Sequence, residues 1–405
     1  MDAELKGLLQ RRPFVWFLAA RSLAGIANQM LMGALAWNMY DLTGSAWDLG
    51  LVGLFQFVPA LIMTLPAGHA VDRWSRLGIF KWCALVQGLA AAVAATAILL
   101  HADSRELILI LSVVLGLARA FQMPAQQALL PSLVPAQWLA RAIALAAGMM
   151  QAGIIAGPAV GGVLYAIDAA LDYGVCALLF AFSMMAAWGA GPQPASVGAR
   201  HVSWQDALAG LSYVWRKKIL LGVVTLDMFA VLLGGATALL PIYAKDILLT
   251  GPAGLGILRA APAVGALAMS LFLSRWPVRQ QIGRKLYGAI VVFGLATVWF
   301  GLSESFWWSC LALALTGAAD NVSVVIRSTV VQLETPDEMR GRVSAINSLF
   351  IGASNQLGEF ESGAVAHVWG PVASVVSGGV GTVLVAALWW KGFPQLAHRN
   401  SFHAN

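Results

Sequence analysis

Long apolar runs alternate with short polar breaks along the whole chain. Six runs fall near residues 14–40, 47–67, 78–100, 106–130, 138–166 and 172–190, and six more near 219–245, 252–273, 284–302, 306–332, 340–368 and 371–390. A helix of about 20 apolar residues crosses a hydrocarbon layer of about 30 Å, so the pattern predicts twelve transmembrane helices. Within each run the apolar residues are continuous and do not alternate with polar ones, which excludes the strands of an outer-membrane barrel. The fold class is therefore an all-α polytopic membrane protein. The first run has full spanning length and lacks a small-residue cleavage site, so it reads as helix 1 and not as a signal peptide.

The second half repeats the first in the same direction. Shifted by 201 positions, residues 320–363 lie on 119–162: Pro336 falls on Pro135, Arg342 on Arg141, Gly358 on Gly157 and Gly363 on Gly162. Earlier in each half the offset is 206, which places Asp227 on Arg21 and the pair Leu255, Gly256 on Leu49, Gly50. Such a repeat predicts two six-helix bundles related by a parallel pseudo-twofold axis, with a site between them. The expected boundaries are an N-terminal bundle at 1–190, a linker at 191–218, a C-terminal bundle at 219–391 and a short polar tail at 392–405. The linker begins in a stretch rich in Gly, Pro and Ser. Ser203 to Asp206 then reads as a helix start, and Trp204, Leu208, Leu211 and Trp215 form one apolar stripe ending in Arg216, Lys217 and Lys218. That pattern predicts an interfacial helix lying on the inner leaflet.

Composition sharpens this picture. With 59% hydrophobic and 11% charged residues, the chain has under half the charge of an ordinary soluble domain, so lipid is its solvent. The basic residues are not a nucleic-acid patch. They gather in alternate loops, at Arg11 and Arg12, Arg73 and Arg76, Arg216 to Lys218, Arg275 to Lys285, and Arg340 and Arg342, while the intervening loops hold only Arg105 and Lys245. That asymmetry predicts cytoplasmic termini and a cytoplasmic central loop. Cys83, Cys176 and Cys310 lie far apart inside apolar runs, so neither disulfides nor a metal site is expected. Phosphate-binding loops, nucleophile elbows and zinc-spaced ligands are also missing from the sequence, so neither an enzyme nor an ATP-driven pump is expected.

The candidate chemistry lies in the charges inside the apolar runs: Arg21, Arg119, Asp227, Arg259, Asp320, Arg327, Glu359 and Glu361. Each costs about 2.5–3.5 kcal/mol to insert, so each requires a partner or a watery cavity. Arg119 and Asp320, which the repeat superposes, both fall near mid-membrane and are expected to face one another across the pseudo-twofold. Arg327 follows Asp320 by seven residues and so shares its face, nearer the cytoplasm. Arg259, Glu359 and Glu361 fall in the outer third. Glu359 and Glu361 point to nearly opposite faces, and Asn355 and Ser348 share the face of Glu359, which favours Glu359 for a cavity. The structural alternative for each charge is an ion pair that only holds helices together.

Two further motifs concern movement. In helix 5, Gly153, Gly157, Gly161 and Gly162 beside Pro158 allow another helix to approach backbone to backbone. In the loop after helix 2, Gly68, Asp72, Arg73 and Arg76 place a carboxylate where it can meet a helix N-terminus. Residues Thr335 to Glu338 carry a good N-terminal signal for helix 11 on the same side. His69 reads as a loop residue.

On these residues the chain resembles the major facilitator superfamily over essentially its whole length. Gly68 to Arg76 is similar to that family's loop motif, departing from it at Ala70 and Ser75, and the second-half loop retains Gly283, Arg284 and Lys285. Arg119 is similar to the motif arginine of helix 4 associated with proton coupling. Gly153 to Gly162 matches most of the helix 5 antiporter motif characteristic of exporters, with Ala144 in place of its leading glycine. Residues 332–363 resemble the enterobactin-exporter-like and macrolide-efflux-like branch. The resemblance implies alternating access and proton-coupled antiport of a small organic molecule, a siderophore or a drug-like compound, across the inner (plasma) membrane. It implies a monomer whose partners are its substrate and the lipid bilayer, with a proton gradient in place of any cofactor. The alternatives are an importer or facilitator of a small metabolite, a lysophospholipid flippase, and a non-transporting receptor or scaffold.

Overall fold

The structure is a computed structural model that describes residues 3–191 and 204–402. Twelve long helices run through the described residues: α1 (Arg12–Thr43), α2 (Ala46–Arg73), α3 (Arg76–Leu99), α4 (Arg105–Leu133), α5 (Leu139–Ile167), α6 (Ala169–Gly189), α7 (Lys218–Ile247), α8 (Gly251–Arg275), α9 (Ile282–Leu302), α10 (Phe306–Glu334), α11 (Asp337–Trp369) and α12 (Pro371–Gly392). Ten of them are long and apolar enough to cross a membrane. The other two, α1 and α11, have 32 and 33 residues and ample length, but they carry the polar side chains Arg21, Asn38, Asn355 and Glu359, which lower their hydropathy. The expected all-α, twelve-helix fold is therefore present.

Short loops set the helix ends. Gly44 adopts a left-handed φ of 61° and its N–H donates to the Tyr40 carbonyl, closing α1. Ser75, Ser104 and Asp168 cap α3, α4 and α6 by accepting the N–H of Gly78, Leu107 and Leu171. One expectation changes in α7. It is not one regular helix: it stops at Gly234 and Gly235, continues as a 3-10 turn at Ala236–Leu239, and ends in a π turn at Tyr243–Ile247. Two consecutive glycines and Pro241 weaken the backbone ladder there. By contrast α5 runs through Pro158 without interruption.

The chain forms two compact units, and neither is one stretch of sequence. Unit 1 comprises Met1–Gly44, Phe55–His201 and Gly251–Ala260; unit 2 comprises Ser45–Leu54, Val202–Thr250 and Ala261–Asn405. The first turns of α2 thus belong with the later helices, and the first turns of α8 with the earlier ones. Unit 1 is filled by Phe14, Phe17, Phe80, Tyr173 and Phe180, all fully buried. In unit 2 a core runs from Leu220 and Val223 of α7 through Leu286 and Ile326 to Leu396 and Ala397. Those last two residues lie in the segment expected to be a polar tail. Instead it folds back as a short helix, Pro394–Ala397, and the Arg399 carbonyl accepts the N–H of Gly283 at the start of α9. Arg399 also pairs with Glu334 at 2.6 Å. The linker helix, Trp204–Arg216, likewise rests on protein: Gly210 packs against the Arg342 carbonyl of α11, and the Tyr213 hydroxyl donates to the Glu334 carbonyl. Trp215 remains exposed, whereas the side chains of Trp204 and Leu208 lie outside the described residues.

The sequence repeat reappears as matched helix crossings. In unit 1 a β-carbon at Gly116 of α4 would overlap the Gln56 carbonyl of α2; in unit 2 one at Gly317 of α10 would overlap the Pro262 carbonyl of α8. The glycines differ by 201 positions and their partners by 206, the offsets read from the sequence. In lipid no hydrophobic effect draws helices together, so such backbone contacts, made possible by missing side chains, supply much of the packing. We expect Gly116→Ala and Gly317→Ala each to lose about 1–3 kcal/mol through overpacking. Gly174→Ala and Gly288→Ala meet open space and should be neutral or slightly stabilising. Thermal unfolding of the four variants in detergent measures this; equal midpoints would remove the crossings from the account.

Candidate functional site

Unit 2 holds a buried ion pair. Asp227 of α7 and Arg327 of α10 are each 4% exposed, and Arg327 Nη1 meets Asp227 Oδ1 directly. Both stand out in the sequence as charges inside apolar runs, but nothing there pairs them. The residues lie 100 positions apart, and no periodicity links α7 to α10. Seven residues, or about 10 Å along α10, separate Arg327 from Asp320, which is half-buried. Asp320 stands fourteen residues from the start of the 29-residue α10, and Arg119 fourteen residues from the start of the 29-residue α4. Each is the midpoint of its helix, as their superposition in the repeat requires. Arg119 is half-buried in unit 1. Arg21, the repeat counterpart of Asp227, is half-buried on α1 and donates from Nη2 to the Met150 sulfur of α5 at 3.6 Å.

The helix 5 glycines form a seam on two sides. A β-carbon at Gly157 would lie 2.7 Å from Gln29 Cβ and 3.0 Å from the Ile26 carbonyl of α1; Gly153 and Gly161 meet Ile26 and Met30 on the same helix. Gly162 turns to the first turns of α8, where a β-carbon would lie 2.5 Å from the Pro252 carbonyl and 2.9 Å from Gly256 Cα. Unit 2 repeats both contacts on α11. Gly358 approaches the Leu232 carbonyl of α7, and Gly363 approaches the Ala46 carbonyl and Gly50 Cα of α2 at 2.7 and 2.8 Å. Ile26 and Leu232, Ala46 and Pro252, and Gly50 and Gly256 all differ by 206, so each seam has its counterpart.

Charges flank the seams unequally. In unit 2 the Glu359 carboxylate of α11 lies over Gly53 of α2, where a β-carbon would come within 2.8 Å of Oε2. At the repeat positions unit 1 has Pro158 and Arg259, and Arg259 Nη1 donates to the Met32 carbonyl of α1 at 3.2 Å. Trp37, Tyr165, Pro252, Gly256 and Arg259 line a cleft of about 10 Å³ beside this seam. Glu361 is half-buried two residues further along α11. In the loop motif, Arg76 Nη1 donates to the Ala128 carbonyl of α4 at 2.8 Å, Arg73 is exposed and Gly68 is open on its Cβ side. The Asp72 side chain lies outside the described residues.

Neutral polar groups do not stand out among the apolar runs of the sequence as charges do. Gln87 of α3 donates to Gln122 of α4 at 3.2 Å in the interior of unit 1, and Gln56 of α2 is 1% exposed. Asp172 was also missed. It falls at the start of α6, where a carboxylate reads as an ordinary solvated helix-end residue, yet it is fully buried. Among the described residues there is no group of three His, Cys, Asp or Glu side chains fit to hold a metal, and Cys83, Cys176 and Cys310 are free thiols.

Known proteins resemble this arrangement over nearly its full length. The chain is 26% identical over 378 residues to the multidrug efflux pump Tap of Mycolicibacterium fortuitum, covering 89% of this chain and 91% of that one. It is 23% identical over 393 residues to the enterobactin exporter EntS of Shigella dysenteriae serotype 1 (strain Sd197), covering 96% and 94%. Its fold is that of the crystal structure of a bacterial homologue of the human lysosomal transporter Spinster, with a TM-score of 0.75 at 14% identity, covering 95% of this chain and 97% of that one. The profile describing the Major Facilitator Superfamily matches residues 17–359. This chain belongs to the Major Facilitator Superfamily and is a multi-pass membrane transport protein.

Proposed function

We propose that the protein is a proton-coupled exporter of a small organic molecule, a siderophore or a drug-like compound, working by alternating access across a bacterial plasma membrane. What carries this reading is the helix 5 seam. Gly157 binds α5 to α1 while Gly162 holds the first turns of α8, and Gly358 and Gly363 do the same for α7 and α2. The two helix starts held in this way, Ala46–Leu54 and Gly251–Ala260, are those exchanged between the units. With the termini in the cytoplasm, as the loop charges argue, these starts lie at the outer ends of their helices. They are then the natural outer gate. The family's efflux members at 23–26% identity support export and the substrate class.

Coupling is assigned to α10 and its neighbours. Asp320 at mid-helix takes the proton, and the Asp227–Arg327 pair fixes α10 against α7 so that the carboxylate keeps its depth. Arg119 occupies the matching mid-helix position of α4 in unit 1 and is assigned to coupling as its repeat counterpart. Uptake of a lipophilic dye or a catecholate siderophore into inverted vesicles, driven by an imposed pH gradient, tests the reading. Uptake indifferent to the gradient would reject proton coupling, and transport in the opposite sense would reject export.

Three variants give sharper outcomes. Gly157→Val should abolish efflux while the protein still reaches the membrane, since the branched side chain has no room against Gln29 and the Ile26 carbonyl; normal efflux at normal expression would dismiss the seam. Asp320→Asn should lose gradient-driven efflux yet keep substrate binding, because the amide imitates the protonated acid. Pumping at the parent rate across about pH 6 to 8 would move the proton site to Glu359 or Asp227. Arg327→Ala strands the buried Asp227 charge and should cost about 3–5 kcal/mol of stability, whereas the double variant Asp227→Leu, Arg327→Met should recover most of it. Thermal midpoints across that cycle measure the coupling, and additive effects would show that the pair does not act as one.

A further inference from the structure

Asp172 is an ionisable group shut off from both solvent and hydrogen-bond partners. It is 0% exposed, and neither carboxylate oxygen has a hydrogen-bond partner. An ionised carboxylate without partners in a dry interior is among the costliest groups a protein can hold, whereas the neutral acid is tolerable. A purely structural role does not account for it. An unbonded acid contributes no more to packing than an apolar side chain, and an asparagine would carry no risk of charge. The group makes physical sense when it is neutral in one arrangement of its surroundings and ionised in another.

The surroundings include an element the proposed gate would move. Tyr165 of α5 stands 6.3 Å, ring to ring, from Tyr173, the residue after Asp172. Tyr165 also lines the cleft against Pro252, Gly256 and Arg259 in the first turns of α8. The cleft has room for about one water. Departure of those turns from unit 1 would open it and bring solvent to Tyr165, whose ring packs on that of Tyr173 beside Asp172 in the chain. The polar groups around this cluster are Asp41 of α1 and Asp103 before α4, which act with Asp172 on Tyr165, Asn38 of α1 beside the Tyr173 hydroxyl, Asp168 capping α6, and Cys176 one turn along α6. Arg259 from α8 is the nearby cation of the cleft.

We propose that Asp172 is a proton-binding carboxyl at the outer end of unit 1, neutral while the first turns of α8 are docked and ionised when they leave. The inference rests on the reading of the α5 and α8 seam as the outer gate. The step is a simple proton transfer. With the gate open, hydronium in the external water gives its proton to a carboxylate oxygen of Asp172, one O–H bond breaking as another forms, and the neutral acid permits α8 to dock again. External acid then favours the docked arrangement. Asp172 is thus a second proton site, separate from the one at mid-membrane.

Infrared difference spectroscopy on the purified full-length protein near neutral pH tests the site directly. Subtracting Asp172→Asn from the parent should leave the C=O stretch of an unbonded carboxylic acid, and absence of that band overturns the proposal. If Asp172→Asn does not fold, Asp172→Glu should shift the band instead of deleting it, and an unshifted band is equally fatal. Docking is read in a Cys310→Ala background, where Cys83 and Cys176 are buried. The buried Leu255→Cys is labelled with a maleimide in nanodiscs, and its rate is divided by that of the exposed Leu249→Cys. The ratio should rise about five-fold between about pH 5 and pH 8 in the parent and stay flat in Asp172→Asn. A flat parent ratio, or the same rise in both proteins, overturns the link to α8. Neither measurement needs substrate or gradient. A failed efflux assay with the acid band present therefore rejects the export reading and leaves the site standing.

Discussion

Close approach of helix backbones in a solvent that offers them no hydrophobic drive is the constraint on which this fold depends. Lipid tails are as apolar as the leucines they touch, so the helices must be held by contact alone. The protein meets this with glycines placed where a carbonyl of the next helix comes closest: Gly116 on Gln56, Gly317 on Pro262, Gly157 on Ile26 and Gly358 on Leu232. Each contact recurs in the other half with the same partner geometry. Because those crossings lack intervening side chains, they tolerate little growth in volume. They can nevertheless separate cleanly, since nothing interdigitates. The same chemistry therefore serves the crossing at Gly116 and the seam at Gly162 that we propose as part of a gate.

Charge is added sparingly to this frame. Asp227 and Arg327 cancel one another inside unit 2, where either alone would be costly. Glu359 and Arg259 occupy related but unlike positions beside the two seams, one negative on α11 and one positive on α8. The halves are thus alike in backbone and unlike in electrostatics. A duplicated scaffold with unduplicated charges is what a directional device requires, since two identical halves would respond identically to protons from either side.

Much of the frame could be read from the sequence. Continuous apolar runs located the twelve helices, including the polar α1 and α11, and the offsets of 201 and 206 matched Gly157 with Gly358, Gly162 with Gly363 and Gly50 with Gly256, while the Gly116 and Gly317 crossings emerge only in the structure. Pairings between distant helices were not legible. Asp227 and Arg327 each stood out as a buried charge, but register along a helix does not say which neighbour it faces. The break in α7 was written in Gly234 and Gly235 yet hidden by the apolar residues on both sides. Asp172 escaped because its neighbours Asp168 and Ala169 mark a helix start, where carboxylates are normally wet.

The folded C-terminal segment has a consequence for biosynthesis. Leu396 and Ala397 complete the core of unit 2, and Arg399 joins the start of α9 to Glu334 at the end of α10. These residues follow α12 in the chain and so leave the ribosome only after all twelve helices have been made. Unit 2 therefore cannot finish folding until α12 and the segment behind it have been made. Its final lock is a late step, set by a segment that follows the last of the twelve helices and not by the helices alone.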